Sequence, residues 1–224
     1  MRKYLPHILI ISFVFLLAPT AQVVSYAGAI EDAKEEVRKY PDDAVAHATL
    51  GLAYYNTDRQ LEAIESFKQA IRIDPDYIKA HGNLGNAYYD LGKYQEAIES
   101  YKQVLRIDPD YVKAHGNLGN TYFDLGKYKK AIKSYKQAIR IDPDDAGAHT
   151  SLGLAYFQSG KYEEAIKSCK QAIRIDPDDS GAHFGLGLAY LFSNDRDSAL
   201  EQYKILKKLD TELANGLFDE IYSE

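Results

Sequence analysis

The chain has 224 residues, a formal net charge of −6 at pH 7 and one cysteine. The acidic balance argues against nucleic acid as a partner, because binding to phosphates needs a net basic surface. A single cysteine excludes an intrachain disulfide, so packing has to stabilise the fold.

The first 27 residues differ in composition from the rest of the chain. Arg2 and Lys3 precede a predominantly apolar run of 11 residues, 8–18, and small residues follow as far as Ala29. This order is typical of a secretory signal peptide. It predicts cleavage after Ala27 or Ala29 and an exported protein, periplasmic or otherwise extracytoplasmic. The alternative is an uncleaved anchor in the inner membrane, although the apolar run is shorter than the roughly 20 residues that a spanning helix needs.

Beyond this segment, a unit of 34 residues repeats along the chain. The sequence Ala-His-Gly-Asn-Leu-Gly-Asn stands at residues 80–86 and again at 114–120. In the same register, five units occupy residues 44–77, 78–111, 112–145, 146–179 and 180–213. All but the last carry Ile-Asp-Pro-Asp near their end. A fixed period of this length indicates stacked supersecondary units.

Within each unit, apolar residues follow helical spacing twice, with a break between the two runs. In the second unit the break falls at Gly92, and glycine suits a left-handed helix cap. The second run stops before Pro109, because the residue that precedes a proline avoids helical geometry. Each unit is therefore predicted to form a helical hairpin. The same signals recur at Gly126 with Pro143 and at Gly160 with Pro177.

These units resemble the tetratricopeptide repeat, whose signature combines a Leu-Gly step, two aromatic residues, an alanine and a final proline. The Leu-Gly step stands at Leu50-Gly51, Leu84-Gly85, Leu118-Gly119, Leu152-Gly153 and Leu186-Gly187. The first aromatic residue is Tyr54, Tyr88, Tyr122, Tyr156 or Tyr190, and the second is Phe67, Tyr101, Tyr135 or Tyr203. The resemblance covers residues 44–209. It implies an all-α fold, a right-handed α-solenoid of helix-turn-helix hairpins with five full repeats and a capping helix at each end.

Three kinds of position depart from the family signature. Cys169 replaces the second aromatic residue of the fourth unit, and Thr211 replaces the last proline. Histidine stands where the family often has tryptophan, at His47, His81, His115, His149 and His183. One histidine per repeat separates successive imidazoles by about 10 Å, too far to share a metal ion, so we expect packing histidines and no metal site. Cys169 is expected to be a buried, unreactive thiol that weakens the fourth unit unless neighbours fill the space.

Helices are also predicted outside the five units, because the terminal hairpins need covers. Residues 28–43 resemble the second helix of a lost repeat, with Ala33 and Val37 on its apolar face. Residues 214–224 offer a short apolar face that is interrupted at Asn215-Gly216. This tail is predicted either to close its own solenoid or to dock on another molecule.

For function, the family resemblance implies that the first helices line a concave groove, which binds a peptide of a partner protein. The two central units carry asparagine pairs spaced three residues apart, which therefore share one helix face. Side-chain amides donate and accept hydrogen bonds, so they can hold a peptide backbone without selecting particular side chains. The alternative is that Asn83 and Asn117 only satisfy local helix contacts. The predicted groove residues are Lys79, Asn83, Asn86, Tyr89, Lys113, Asn117, Asn120, Phe123 and Phe157.

Towards the carboxyl end, the predicted groove becomes less polar. Ser151, Leu154, Gly185 and Leu188 replace the asparagine pairs in the fourth and fifth units. Phe184 and Phe192 add apolar surface to the last unit. This gradient suits a ligand with a hydrophobic anchor, unless the closing helix covers the two phenylalanines.

Charged residues point to two further binding modes. Lys79 and Lys113 could accept a carboxylate, as in the tetratricopeptide co-chaperones that hold the carboxyl terminus of a chaperone. Asp90 and Asp124, on neighbouring turns, are expected to oppose an anion. The second helix of the third unit is expected to be a solvated basic face or to bind an acidic partner or anionic head groups. Its cations are Lys127, Lys129, Lys130, Lys133, Lys136 and Arg140.

No enzyme motif is present in the sequence: it lacks a glycine-rich phosphate loop, a His-Glu-x-x-His zinc motif and a Gly-x-Ser-x-Gly elbow. We therefore expect a scaffold without catalytic residues or cofactor, which assembles an envelope or secretion complex. One alternative is a homo-oligomeric coat in which the final helix of one copy enters the groove of the next. A second alternative is a non-catalytic targeting subunit of an enzyme such as a glycosyltransferase, since similar asparagine-bearing repeats are fused to a sugar transferase.

Overall fold

The structure, a computed structural model, describes residues 21–222, and their side chains from residue 28 onward. Within this range the chain forms 12 helices and no strand, which confirms the all-α prediction. Most of the predicted leader, residues 1–27, lies outside the described residues. The terminal helices are α1 (Ala21–Lys39) and α12 (Thr211–Tyr222). The five hairpins are α2 (Ala44–Tyr55) with α3 (Gln60–Ile73), α4 (Ile78–Asp90) with α5 (Tyr94–Ile107), α6 (Val112–Asp124) with α7 (Tyr128–Ile141), α8 (Ala146–Gln158) with α9 (Tyr162–Ile175) and α10 (Ser180–Phe192) with α11 (Arg196–Leu209).

The hairpins stack in sequence order and form a solenoid. Every helix packs against the helix before it and the helix after it in the chain. Consecutive first helices, from α2 to α10, also contact each other, whereas in the part that the structure describes no second helix contacts the next second helix. Because the closer row of helices lies on the inside of a curved stack, the first helices line the concave face and the second helices the convex face. Between residues 21 and 222, none of the helices combines the length and the apolar character that crossing a membrane requires.

Local sequence signals set the turns inside the hairpins, as predicted. Gly92, Gly126 and Gly160 have positive φ angles of 69°, 67° and 73°. Asp58 and Asn194 adopt the same left-handed conformation in the first and last hairpins, at 56° and 62°. Glycine takes this conformation without steric cost, and asparagine and aspartate tolerate it better than other residues. All five hairpins therefore share one turn, although only three of them have glycine there.

The repeat histidines attach each first helix to the loop that precedes it. In every unit the imidazole Nε2 lies 2.8–3.0 Å from the carbonyl oxygen of the proline six residues earlier, from His47 with Pro41 to His183 with Pro177. Nε2 is therefore the donor nitrogen in all five rings. This contact confirms the expectation of packing histidines and gives the physical reason for histidine at the tryptophan position.

A close contact across each hairpin involves the glycine of the Leu-Gly step and the second aromatic residue. In the first three hairpins, a Cβ on that glycine would lie only 2.5 Å from the aromatic ring. Only glycine leaves room for such an approach, because interiors are already close-packed. We call the position against this glycine the aromatic seat. Its occupants are Phe67 against Gly51, Tyr101 against Gly85 and Tyr135 against Gly119.

Cys169 fills the aromatic seat of the fourth hairpin together with residues of the neighbouring helices. The cysteine is fully buried, and a Cβ on Gly153 would lie 2.4 Å from its Sγ. Helix α10 lies close to this small side chain: a Cβ on Gly185 would be 3.0 Å from Leu154 and 3.2 Å from the Cys169 Sγ. Neighbours thus occupy the space that an aromatic ring takes elsewhere. Burial raises the pKa of the thiol to about 12, in keeping with the predicted unreactive cysteine.

Helix α12 closes the carboxyl-terminal end of its own solenoid. It starts directly after Asp210, whose carboxylate accepts hydrogen bonds from the amides of Glu212 and Leu213. This cap ends the fifth unit at Asp210 instead of residue 213. The helix runs through Asn215 and Gly216, and Gly216 packs beside the ring of Phe184.

The fifth aromatic seat holds Leu217 of α12, which corrects the assignment of Tyr203 as the second aromatic residue of that unit. Leu217 is fully buried, and a Cβ on Gly187 would lie 2.5 Å from it. Tyr203 packs instead against Phe218, with 5.4 Å between the ring centroids. The capping helix therefore completes the last hairpin.

Helix α1 covers the amino-terminal end and has the sequence of a second helix, as predicted. It begins at Ala21, earlier than the predicted start of the cap at residue 28. Its ion pair between Glu31 and Lys34, at 2.7 Å, repeats the pairs at the same unit positions in α3 and α5. Ile30 and Ala33 are buried against Leu50 of α2.

The other side of α1 is acidic. Counting back 34 residues, Asp32 corresponds to Ser66 and Glu36 to Ala70. Ser66 and Ala70 are 7 % and 0 % exposed in the first hairpin, whereas Asp32 and Glu36 are exposed to solvent. Because an unpaired carboxylate is costly to bury, this side of α1 is unsuited to packing against another helix.

Candidate peptide-binding groove

Three adjoining cavities run along the concave face from the first to the fourth hairpin. Their volumes are about 290, 100 and 180 Å³ in this order. Asn86 and Asn117 border the first two, and Tyr89 and Asn120 border the second and third, so the cavities form one continuous groove. The groove brings together all of the predicted site residues except Phe157.

The first cavity, which we call the lysine cavity, has a positive and amide-rich lining. Its polar residues include Lys79, Asn83, Asn86, Lys113 and Asn117, and no carboxylate borders it. In the described part of the chain, neither lysine forms an ion pair, and both are exposed at the start of their helices. The cavity therefore offers two free ammonium groups next to three amides.

The helices that carry these lysines also begin without a side-chain cap. Tyr77 precedes α4 and Tyr111 precedes α6, and neither makes a capping hydrogen bond. In contrast, Asp43, Asp145 and Asp179 accept hydrogen bonds from the first amides of α2, α8 and α10. A helix amino terminus carries partial positive charge. The two central units thus lack the carboxylates that neutralise this charge in the other three.

Hydrogen bonds fix the orientation of the asparagine amides. The hydroxyl of Tyr101 donates to Asn86 Oδ1 at 2.8 Å, and Nδ2 of Asn117 donates to the same oxygen at 3.0 Å. One repeat further on, Tyr135 donates to Asn120 Oδ1 at 2.7 Å. The two oxygens are thus bound to the scaffold, whereas the Nδ2 groups of Asn86 and Asn120 have no partner between residues 21 and 222.

The side chains of Asn83 and Asn117 make no hydrogen bonds within their own helices, which was the alternative role considered for them. Asn117 hydrogen-bonds across to Asn86 of the preceding repeat. Asn83 borders the lysine cavity and makes no side-chain hydrogen bond within the described residues. Its amide is therefore free to donate and accept in the groove.

Tyrosine–aspartate pairs bridge successive repeats beside the second cavity. Tyr55 donates to Asp90 Oδ2 at 2.5 Å, and Tyr89 donates to Asp124 Oδ2 in the same way. Partial burial, together with the Asp90 hydrogen bond, raises the pKa of Tyr55 to about 12. The hydrogen bond to Asp124, followed by partial burial, raises the pKa of Tyr89 to about 12. Both tyrosines are therefore neutral donors at physiological pH.

These pairs remove the objection that Asp90 and Asp124 oppose an anion at the lysines. Asp90 borders the second cavity and Asp124 the third, and neither borders the lysine cavity. Each carboxylate also accepts a tyrosine hydroxyl, which disperses part of its charge. The two carboxylates thus line the adjoining cavities and not the lysine cavity.

The carboxyl-terminal end of the groove is closed, contrary to the expectation of an apolar extension. Gly185 is buried because α10 packs closely on Leu154 and Cys169 of the fourth hairpin. Leu188 is buried in a cluster with Leu217 and Ile221 of α12. Phe184 packs beside α12. Packing of α10 on α8 and of α12 on α10 therefore ends the groove at the fourth hairpin.

Phe157 belongs to a separate aromatic cluster. Its ring centroid lies 5.2 Å from that of Phe192 and 5.7 Å from that of Tyr162. Phe192 remains 48 % exposed and is not covered by the capping helix. Of the two phenylalanines expected under that helix, only Phe184 is there.

Sequence reasoning treated Tyr101 and Tyr135 as core residues and missed their hydroxyls. A signal for them exists, because asparagine occupies the ninth position of a unit only in the two units with a tyrosine in the aromatic seat. Elsewhere that position is leucine, as in Leu52 of the unit with Phe67. The tyrosine–aspartate pairs leave a weaker trace, a spacing of 35 residues that occurs twice.

A curved stack of helical hairpins with a polar groove along its first helices defines the class of α-solenoid scaffolds. A family model described as TPR repeat matches residues 59–92, 85–126, 119–160 and 153–191, which together span more than half of the chain. The chain therefore belongs to the tetratricopeptide repeat family. No curated protein matches the sequence.

Solved structures of other tetratricopeptide proteins resemble this chain along most of its length. A crystal structure of MamA is 28% identical, with a TM-score of 0.69, and covers 74% of this chain and 97% of MamA. TTC0263, a thermophilic TPR protein of Thermus thermophilus, is 26% identical, with a TM-score of 0.60 and coverage of 79% and 97%. YrrB, described as a TPR protein with an unusual peptide-binding site, is 21% identical, with a TM-score of 0.70 and coverage of 84% and 98%. At the identity of YrrB, the likeness shows the fold alone.

Proposed function

We propose that this protein is a non-enzymatic scaffold that binds an extended segment of a partner protein in its concave groove. The observation that carries the proposal is the set of fixed amides in and beside the lysine cavity. Tyr101 orients the amide of Asn86 and Tyr135 that of Asn120, while donors of Asn83, Asn86 and Asn120 remain unused within the described chain. An extended peptide presents a backbone carbonyl at every residue. Donors that are already oriented bind such carbonyls with a smaller loss of entropy.

The charge around the lysine cavity favours a segment that carries a carboxylate. Lys79 and Lys113 are free of ion pairs in the described chain, and the amino termini of α4 and α6 add partial positive charge. An aspartate or glutamate side chain, or a carboxyl terminus, matches this environment. The expected ligand is therefore an extended acidic segment held by its backbone.

The test is selection of a random peptide library displayed on phage, followed by affinity measurement with the selected peptides. Wild-type protein is expected to enrich acidic peptides, and the variant Lys79→Ala with Lys113→Ala to lose this preference. Asn83→Ala with Asn117→Ala removes two backbone contacts of about 1 kcal/mol each, so affinity should fall by roughly 30-fold. The thermal midpoint should stay close to that of wild type, because the variant loses only one scaffold hydrogen bond, from Asn117 to Asn86, and Asn86 keeps its bond from Tyr101.

The matched control is Asn56→Ala with Asn215→Ala, which removes two exposed asparagines outside the groove. This control should bind the selected peptides as wild type does. Equal affinities for the groove variant and the control would contradict groove recognition.

We further propose that the protein is exported and that its partners belong to an envelope or secretion complex. The acidic side of α1 supports export. If residues 8–18 were the first helix of a further repeat, they would have to pack against this side of α1, where Asp32 and Glu36 offer no apolar surface. The apolar run then needs a different role, and that of a leader fits its composition. Cleavage after Ala27 or Ala29 would retain Ile30 and Ala33, which are buried against α2.

Cell fractionation combined with mass spectrometry of the amino terminus tests the export proposal. The expected product starts at Gly28 or Ile30 and is found outside the cytoplasm. A cytoplasmic product that retains the first residues would contradict it.

A further inference from the structure

A basic stripe lies on the convex face of the third repeat. Lys129, Lys133, Lys136 and Arg140 are spaced four, three and four residues apart along α7, so they share one side of the helix. All four are exposed, and α7 contains no acidic residue. This concentration of positive charge contrasts with the net charge of −6 of the whole chain.

In α3 and α5, an ion pair occupies the positions that form the centre of this stripe in α7. Lys68 lies 3.0 Å from Glu65 in α3, and the equivalent pair in α5 is 2.8 Å apart. In α7 the glutamate position is taken by Lys133, and in the described part of the chain neither Lys133 nor Lys136 forms an ion pair. Lys136 instead lies over the ring of Tyr156, 5.4 Å from its centroid, which positions the ammonium group without neutralising it.

Helix α9 continues the stripe on the next repeat. Lys167, Lys170 and Arg174 occupy the unit positions of Lys133, Lys136 and Arg140, and all are exposed. The seven exposed cations of the two helices form what we call the α7–α9 array, with Glu163 and Glu164 at its edge and Asp110 3.6 Å from Arg140. The array contains Lys129, Lys133, Lys136, Arg140, Lys167, Lys170 and Arg174.

The surroundings of the array lack the features of a protein-binding site. Protein interfaces depend on apolar or aromatic anchors. None of the large hydrophobic side chains exposed in the described part of the chain lies on α7 or α9. The cations also border none of the groove cavities. Anionic lipid head groups need neither an anchor nor a cleft, because each lysine or arginine near the membrane surface contributes on its own.

We propose that the α7–α9 array binds anionic phospholipid head groups. This contact places the convex face on a membrane and leaves the concave groove open to the solvent for a partner. The proposal does not depend on peptide binding in the groove.

The experiment is co-sedimentation of the full chain with vesicles of phosphatidylcholine, with or without phosphatidylglycerol, at low and at high salt. The variant Lys129→Gln, Lys130→Glu, Lys133→Glu installs the residues of the second repeat at the same positions, so α7 keeps the sequence of a folded helix. The control Lys34→Glu, Arg38→Glu, Lys39→Gln makes the same change on α1, two charge reversals and one neutralisation. Circular dichroism checks that both variants keep their helix content.

Wild type and control are expected to partition more strongly into phosphatidylglycerol vesicles, and salt should weaken this gain. The α7 variant changes two cations of the array, Lys129 and Lys133, and the adjacent Lys130. It should lose about 100-fold of this gain, roughly fivefold for each cation. The amino-terminal run, with Arg2 and Lys3 before it, is identical in wild type, control and α7 variant, so it does not affect the comparison between them. The proposal is overturned if wild type shows no gain, if the α7 variant retains it, or if the control loses as much. The proposal is also overturned if, without lipid, the wild type is an oligomer and the α7 variant is a monomer. In that case the array binds a second copy of the chain.

Discussion

Replacing Asn86 by leucine is expected to destabilise the solenoid only while Tyr101 keeps its hydroxyl. Tyr101 is 2 % exposed, and its hydroxyl donates to Asn86 Oδ1 at 2.8 Å. A buried polar group that loses its partner costs about 1–3 kcal/mol. We therefore expect Asn86→Leu to lower the free energy of unfolding by about 1–3 kcal/mol.

The double variant Asn86→Leu with Tyr101→Phe is the decisive case, because it recreates the Leu52 and Phe67 combination of the first repeat. Tyr101→Phe alone removes one hydrogen bond and should cost about 0.5–1.5 kcal/mol. The double variant leaves no unsatisfied hydroxyl and should lie within about 1 kcal/mol of wild type, less than the sum of the single changes.

Urea unfolding followed by far-ultraviolet circular dichroism measures all four free energies of unfolding. The control cycle combines Tyr101→Phe with Asn83→Leu, one turn earlier on α4 and without a hydrogen bond to the hydroxyl. That cycle should be additive. If the Asn86 cycle is additive as well, the hydrogen bond does not couple the two residues and the reasoning fails.

Three further predictions concern the capping helix, the fourth aromatic seat and the dependence on pH. Leu217→Ala leaves a cavity under α12 and should lower the free energy of unfolding by about 2–5 kcal/mol; an unchanged urea midpoint would show that α12 does not stabilise the stack. Cys169→Tyr should destabilise by about 1–3 kcal/mol, because neighbouring side chains already fill the seat, and a more stable variant in the same assay would refute this. The pKa values of Tyr55 and Tyr89 are raised to about 12 in the folded state, whereas tyrosines of the unfolded chain lose their protons above about pH 10. The contribution of these two hydroxyls to the free energy of unfolding is therefore complete below about pH 10 and is lost as the pH rises to about 12. Replacing both by phenylalanine should flatten the decline in alkaline urea titrations, and parallel curves would argue against the pairs.

The sequence by itself determined the helical hairpins, their number and their order. A period of 34 residues, Leu-Gly steps and glycine or proline at helix ends are local signals, and local signals act wherever the chain places them. The asparagines at 83, 86, 117 and 120 were also predicted to share one side, because residues three apart on a helix do so, and all four line the groove.

Only the tertiary structure decided which side chains meet across helices. The bond from Tyr101 to Asn86 joins residues 15 positions apart, and that from Tyr55 to Asp90 joins residues 35 apart. Such contacts depend on the distance and angle between packed helices, which the spacing within one unit does not specify. The same holds for Leu217, which fills the last aromatic seat from α12, and for Cys169, against which α10 packs closely. A change of a few ångströms between helices decides these contacts while leaving every local signal unchanged.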